Sequence, residues 1–288
     1  MQAIIRNFTK DLRWTVEKSE FRKSILSIVL LGSAAKGEFI KGESDIDFIV
    51  IVRNNSDKRP VTKFMNCTLT KLNEKHHLGL EETCLNRKKY DNIILNMLIK
   101  IESATFFGTQ FYVISTSDYD FVKNKISDPR LWFIATFLLP INQFLLNVKD
   151  TGITVYGKDF MKLLNVKLTF PDKIKIIAEQ YLILIGSSLI LPFNPKLALK
   201  NALKASLGQE EFNLMFLHKH PSGYMKDRKF FESVFSNDDR AINHIRKSLN
   251  YRKNYNNIDV SYDESTKFIS DSYSFVFNSL KNMGSLKN

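Results

Sequence analysis

The sequence predicts an α/β (α+β) protein, with strands and helices mixed over residues 1–160 and an all-helical domain over 161–288. Three observations carry that reading. Two apolar, β-branched runs, SILSIVLLG at 24–32 and DIDFIVIVR at 45–53, have the character of buried strands. The last strand signal is GITVYG at 152–157, bounded by glycines. Beyond residue 160 the apolar pattern is helical throughout, punctuated by Pro171, Asn194-Pro195 and Gly208.

The elements follow in order. Ile4, Phe8, Leu12 and Val16 recur near helical spacing and predict an amphipathic helix over residues 1–20. After the strand at 24–32, Ser33-Ala-Ala-Lys36 begins a short helix, and the strand at 45–53 leads into a helix over roughly 60–76. LGLEETCLN at 78–86 predicts a short strand, followed by a helical stretch near 88–102. QFYVIST at 110–116 reads as another strand, with Ser117-Asp118 capping a helix after it. The apolar helix at 131–149 should kink or divide at Pro140. In the second half, helices are predicted from Pro171 to about 192, from Asn194-Pro195 to Gly208, and over 209–219, 227–250 and 262–283.

The totals bound the function. The 288 residues are 44% hydrophobic and 25% charged, enough for a substantial core and too apolar for extended disorder. Lysine and arginine number 42 against 30 acidic residues, a formal charge of +12, with 23 against 18 in residues 1–160 and 19 against 12 afterwards. Such a surface suits polyanions (RNA, DNA or nucleoside triphosphates), or else is simply a solvated lysine-rich exterior. Cys67 and Cys84 have no paired spacing, which argues against a disulfide framework or structural zinc and for a reducing, cytoplasmic setting. The N-terminus lacks the apolar core of a signal peptide, and YLILIGSSLILPF at 181–193 is too short to span a bilayer, so no membrane is implied.

Chemistry concentrates in LLGSAAKGEFIKGESDIDFIVIV, residues 30–52. A carboxylate inside so apolar a run costs several kcal/mol unless something offsets it, and two of them suggest a cation. Asp45 and Asp47, at i and i+2 on a strand, project from one face and can share a hard metal such as Mg or Mn, which also binds substrate phosphates. Ahead of them Gly32-Ser33 stands between a strand and a helix, where glycine allows close backbone approach and the serine hydroxyl can hold a phosphate.

At these residues the sequence resembles the nucleotidyltransferases of the DNA polymerase beta superfamily. Leu31-Gly32-Ser33 is followed after eleven residues by Asp45-Ile46-Asp47-Phe48, with Ser44 before the first aspartate, Gly37 in the spacer and Lys36 where a basic residue is usual. The resemblance implies a mixed sheet flanked by helices, a nucleotide site including Gly32, Ser33, Lys36 and Ser44, and two divalent ions held by Asp45 and Asp47. It also implies a third carboxylate on a later strand. Leu80-Glu81-Glu82-Thr83-Cys84-Leu85 resembles the pattern of aminoglycoside nucleotidyltransferases and puts Glu81 in that role, as metal ligand or base, with Glu82 and Asp91 as rivals. Gly152-Ile-Thr-Val-Tyr156-Gly157 is similar to the segment with which that subgroup closes its catalytic domain. The implied reaction moves a nucleoside monophosphate, AMP foremost, from a triphosphate to an acceptor hydroxyl with release of pyrophosphate. An RNA end or a protein hydroxyl fits the basic surface better than a small cationic molecule does. A catalytically silent nucleotide- or RNA-binding module, such as half of a toxin-antitoxin pair, is the alternative. Oligomeric state has no signature.

Other candidates have plainer readings. Lys196, Lys200 and Lys204 share one helix face, solvated rather than aimed at a triphosphate. His76 and His77 end a helix, where their charge is favourable. His218 and His220 would point apart on a helix and make a poor zinc pair. Arg240-Ala-Ile-Asn-His244 misses by one residue the Arg-to-His spacing of ribonuclease-type helical partners.

Overall fold

The computed structural model describes residues 2–41, 44–80, 111–138, 140–216, 224–236 and 238–285. It divides into two compact units, Met1–Leu168 and Thr169–Asn288.

The first unit is built on a four-stranded mixed sheet of order β3-β2-β1-β6, from β1 (Ile25–Leu30), β2 (Phe48–Val52), β3 (Phe111–Ser115) and β6 (Ile153–Gly157). The strand β1 runs antiparallel to β2 and β6, whereas β2 and β3 are parallel. Every residue of β2 is buried because both sheet faces are covered. Phe48, Val50, Val52, Ile28 and Leu30 face a core completed by Ile5, Phe8, Leu12 and Val16 of α1 (Ala3–Lys18) and by Val61, Met65, Leu69 and Leu72 of α3 (Lys58–His76). Ile49, Ile51, Val29 and Leu31 face a second core with Leu145, Val148, Tyr119 and Phe121. Met161, Leu164 and Val166 join that second core, which carries the first unit past residue 160.

The helix expected after Ser117-Asp118 is instead a tight hairpin of β4 (Tyr119–Asp120) and β5 (Lys125–Ile126). The Asp118 carboxylate accepts from the Ser115 N–H at 2.9 Å, so it closes a turn behind β3 and caps no helix. Asp120 accepts from the Val122 and Lys123 N–H groups, and Asn124 takes a left-handed φ of 53° at the tip. The apolar stretch at 131–149 is divided as predicted. α4 (Pro129–Phe133) runs into a π-helical turn, Ile134–Leu138, and a separate α5 (Ile141–Thr151) starts after Pro140.

The second unit is helical: α6 (Phe170–Ile190), α7 (Pro195–Phe216), α8 (Tyr224–Val234), α9 (Asp239–Asn254) and α10 (Tyr262–Ser285). Thr169 and Asp172 form a capping box on α6, and Asn194 Oδ1 accepts from the Leu197 N–H at 2.9 Å to start α7. Gly208 does not end α7 as expected. A Cβ there would stand 2.9 Å from Gln180 Oε1, so the glycine admits a side chain of α6 between the two helices. The expected helix over 227–250 is two helices, the second capped by Asp238, whose Oδ1 accepts from the Ala241 N–H at 3.0 Å. Among the described residues no single helix is long and apolar enough to cross a membrane.

Candidate active site

The register of β1 on β2 builds the site. Leu30 lies opposite Phe48, and the Leu31 N–H donates to the Asp47 carbonyl at 2.9 Å, so the ladder continues one residue past the strand. At Gly32 the chain turns off the sheet with φ +64°, a left-handed value that favours glycine, and enters α2 (Gly32–Lys36). A Cβ on residue 32 would stand 3.1 Å from Asp47 Oδ2. Glycine is therefore needed twice at this position, for the turn and to leave room for a carboxylate. The glycine and the second aspartate, fifteen positions apart in the chain, are thereby neighbours in space.

The aspartates themselves sit differently from expectation. β2 starts at Phe48, so Asp45 and Asp47 precede the strand instead of lying on it. Ile46 and Phe48 are buried in the first core, while Asp47 is half-buried and Asp45 is exposed. Because β1 turns away at Gly32, residues 45–47 extend past the paired sheet, and their carboxylates reach solvent without the full desolvation cost of a buried strand.

α2 presents Ser33 and Lys36 on its half-buried flank, with Ala34 and Ala35 turned into the core. It ends at Gly37, whose φ of 80° makes a left-handed cap, and the Glu38 N–H returns to the Ser33 carbonyl at 2.8 Å. Ser44 is buried. Its Oγ accepts from the Ile40 N–H at 3.0 Å and its own N–H donates to the Ile40 carbonyl at 2.8 Å, so it closes the loop that delivers Asp45.

Glu81 and its rivals Glu82 and Asp91 lie outside the described residues. Among the described residues no three His, Cys, Asp or Glu side chains converge. Among the described residues Asp45 and Asp47 supply carboxylate oxygens, donors that suit Mg or Mn completed by phosphate oxygens and a further carboxylate. Gly32, Ser33 and Lys36 stand on the segment next to them.

The remaining candidates are occupied structurally. His76 Nε2 lies 2.8 Å from Asp11 Oδ2, an oxygen that also receives Lys75 Nζ at 2.8 Å; the Lys75 hydrogen bond foremost, with that of His76, holds the Asp11 carboxyl below its ordinary range. Lys196 and Lys200 lie over the ring of Tyr255, at 5.2 and 5.7 Å from its centroid. His244 is buried, with Nε2 at 2.9 Å from Ser206 Oγ, and burial pushes its pKa down to about 4. His218 and His220 lie outside the described residues.

One supporting pair had no sequence signal. Lys58 Nζ donates to Asp118 Oδ2 at 2.8 Å across sixty positions, tying the start of α3 to the turn behind β3. Burial raises the Asp118 pKa, but Lys58 and the Ser115 N–H outweigh it and leave the carboxyl below its usual range.

Residues 12–127 match the family model of the nucleotidyltransferase domain. No curated protein sequence matches the chain. Among solved structures, spectinomycin adenyltransferase AAD(9) from Enterococcus faecialis, crystallised with ATP and spectinomycin, is similar over 96% of this chain and 98% of its own, at 13% identity and a TM-score of 0.47. The segment that matches the nucleotidyltransferase domain model contains Gly32, Ser33, Lys36, Ser44, Asp45 and Asp47.

Proposed function

We propose that the protein is a metal-dependent nucleotidyltransferase that moves a nucleoside monophosphate, with AMP the first to test, from a triphosphate to an acceptor hydroxyl. The observation that carries this is the pairing of Gly32 with Asp47, because it puts a carboxylate against a backbone position that has no side chain. The family match over residues 12–127 supports the same reading.

In the proposed reaction the acceptor oxygen bonds to the α-phosphorus, the bridge to the β-phosphate breaks, and pyrophosphate leaves. Two divalent ions, Mg or Mn, held by Asp45 and Asp47 with Glu81 as third carboxylate, would supply positive charge at the phosphates and acidify the acceptor hydroxyl. Gly32 lets the backbone approach the triphosphate, Ser33 offers it a hydroxyl, and Lys36 contributes positive charge. Ser44 sets the loop that aims Asp45. Glu81 takes the acceptor proton if it is not a metal ligand. With a formal charge of +12 the acceptor is better read as an RNA end or a protein hydroxyl than as a small cation.

The test is to incubate the protein, and its Asp45→Ala/Asp47→Ala variant, with each α-labelled triphosphate, Mg or Mn, and separate RNA, protein and metabolite fractions of a cell extract. Label entering one fraction with the unaltered protein alone supports the reading and names the acceptor class. A folded protein that binds triphosphate or RNA but transfers nothing would turn it into the silent binding module.

A further inference from the structure

The helix α6 carries apolar residues on its outward side as well as on its buried one. Its buried side mixes Ile176, Leu184 and Ile190 with the polar Asp172, Gln180 and Ser187, while Ile174, Leu182, Ile185 and Leu189 expose between 48% and 66% of their surface. Ala178 is exposed on the same side, and Phe193, in the turn that ends the helix, is 48% exposed. The outward residues form an apolar stripe that no described residue of this unit covers.

Charge is absent from the stripe. Between residues 176 and 193 Glu179 is the only Asp, Glu, Lys, Arg or His, and burial pushes its carboxyl up to about 7. Depletion of charge around an exposed apolar centre is the composition of an interface core. Gly186 lies beside the stripe in mid-helix, and a Cβ placed there meets nothing within 4 Å. No neighbour among the described residues requires that glycine, although it weakens the helix by about 1 kcal/mol relative to alanine.

The spacing of the stripe selects the occupant. Its positions, 174, 178 and 182, then 185, 189 and 193, are symmetric about a point midway between residues 183 and 184. Two copies of the helix packed antiparallel about a two-fold axis through that point put Leu182 level with Ile185 of the other copy. Ala178 is then level with Leu189, and Ile174 with Phe193. These are mixed layers of the kind antiparallel helices interdigitate, and an isologous contact requires a pattern that is self-complementary in this way. The stripe is about 30 Å long. Six side chains baring on the order of 100 Å² each would bury roughly 1,200 Å² in total, within the range of specific interfaces.

We propose that the protein forms a two-fold symmetric dimer through the outward face of α6, with Leu182 and Ile185 of the two copies at its centre. The test is the mass of the full-length protein over a concentration series by sedimentation equilibrium, with helicity checked for each variant. The unaltered chain of 33.4 kDa gives twice that mass. Ala178→Lys and Leu189→Glu, each alone, put like charges into two layers and weaken the dimer at least tenfold. Together they place opposite charges level with one another in both layers and recover most of the affinity. Leu182→Glu with Ile185→Glu gives a folded monomer. A monomer at every concentration of the unaltered chain overturns the proposal, as does a dimer indifferent to these substitutions or a double variant no tighter than the single ones.

Discussion

Gly32 and Asp47 form the smallest unit on which the function turns. With φ at +64° and Asp47 Oδ2 at 3.1 Å from where a Cβ would be, Gly32→Ala both strains the turn and pushes on the carboxylate. The backbone strain alone costs about 1 kcal/mol. The expected outcome is a protein that still unfolds cooperatively, a few degrees lower in Tm, with pyrophosphate release reduced at least 100-fold in a steady-state assay. Near-normal turnover would show that the crowding at Asp47 does not matter. His244 gives a second residue-scale prediction. Its folded-state pKa of about 4 lies below the value of about 6.5 in an unfolded chain. The unfolded chain therefore takes up the proton first, and stability is fully present above pH 6.5 and falls as pH drops towards 4. The loss over that window is on the order of 3 kcal/mol. Tm measured against pH should show this slope, and His244→Gln should flatten it. The motif residues were readable from type and spacing because only the register of two strands separates them. The exposure of Asp45 was not, since it depends on where β1 leaves the sheet.

At the scale of elements, Gly208 and Gln180 decide how α6 meets α7. A larger residue at 208 has nowhere to go, because Gln180 is itself buried. Gly208→Val should destabilise the helical unit by about 1–3 kcal/mol in denaturant unfolding. Adding Gln180→Ala should return at least half of that; no recovery would place the clash elsewhere. The strands β1 and β2 were legible because sheet faces covered on both sides demand continuous apolar residues, and α1 because its stripe faces one core. Two elements were misread for definite reasons. Gly208 resembles a helix stop in sequence, although a glycine also admits a crossing side chain. Asp118 resembles a helix cap, although its carboxylate is spent on the Ser115 N–H and on Lys58, sixty residues away. Lys58→Met should accordingly lower stability at pH 7 more than at pH 3, because it strands a carboxylate that is charged only at the higher pH.

For the molecule as a whole, the division into a sheet-based unit and a helical unit follows from the loss of strand signals after β6, with the hydrophobic residues at 161–166 drawn back into the second core of the first unit. The outward apolar face of α6 was not legible, because periodicity shows an apolar stripe but not which side of a helix its neighbours take. The net charge of +12 makes a prediction of its own. If the acceptor is RNA, transfer at subsaturating RNA should fall at least tenfold between about 50 and 200 mM salt, while triphosphate binding changes far less. The most direct measurement compares the fates of α-labelled and γ-labelled triphosphate in parallel reactions with the acceptor fraction. The account predicts the α label in the acceptor and the γ label in pyrophosphate, with both events lost in Asp47→Ala. Label from the γ position in the acceptor or in orthophosphate, or transfer undiminished in Asp47→Ala, would contradict it.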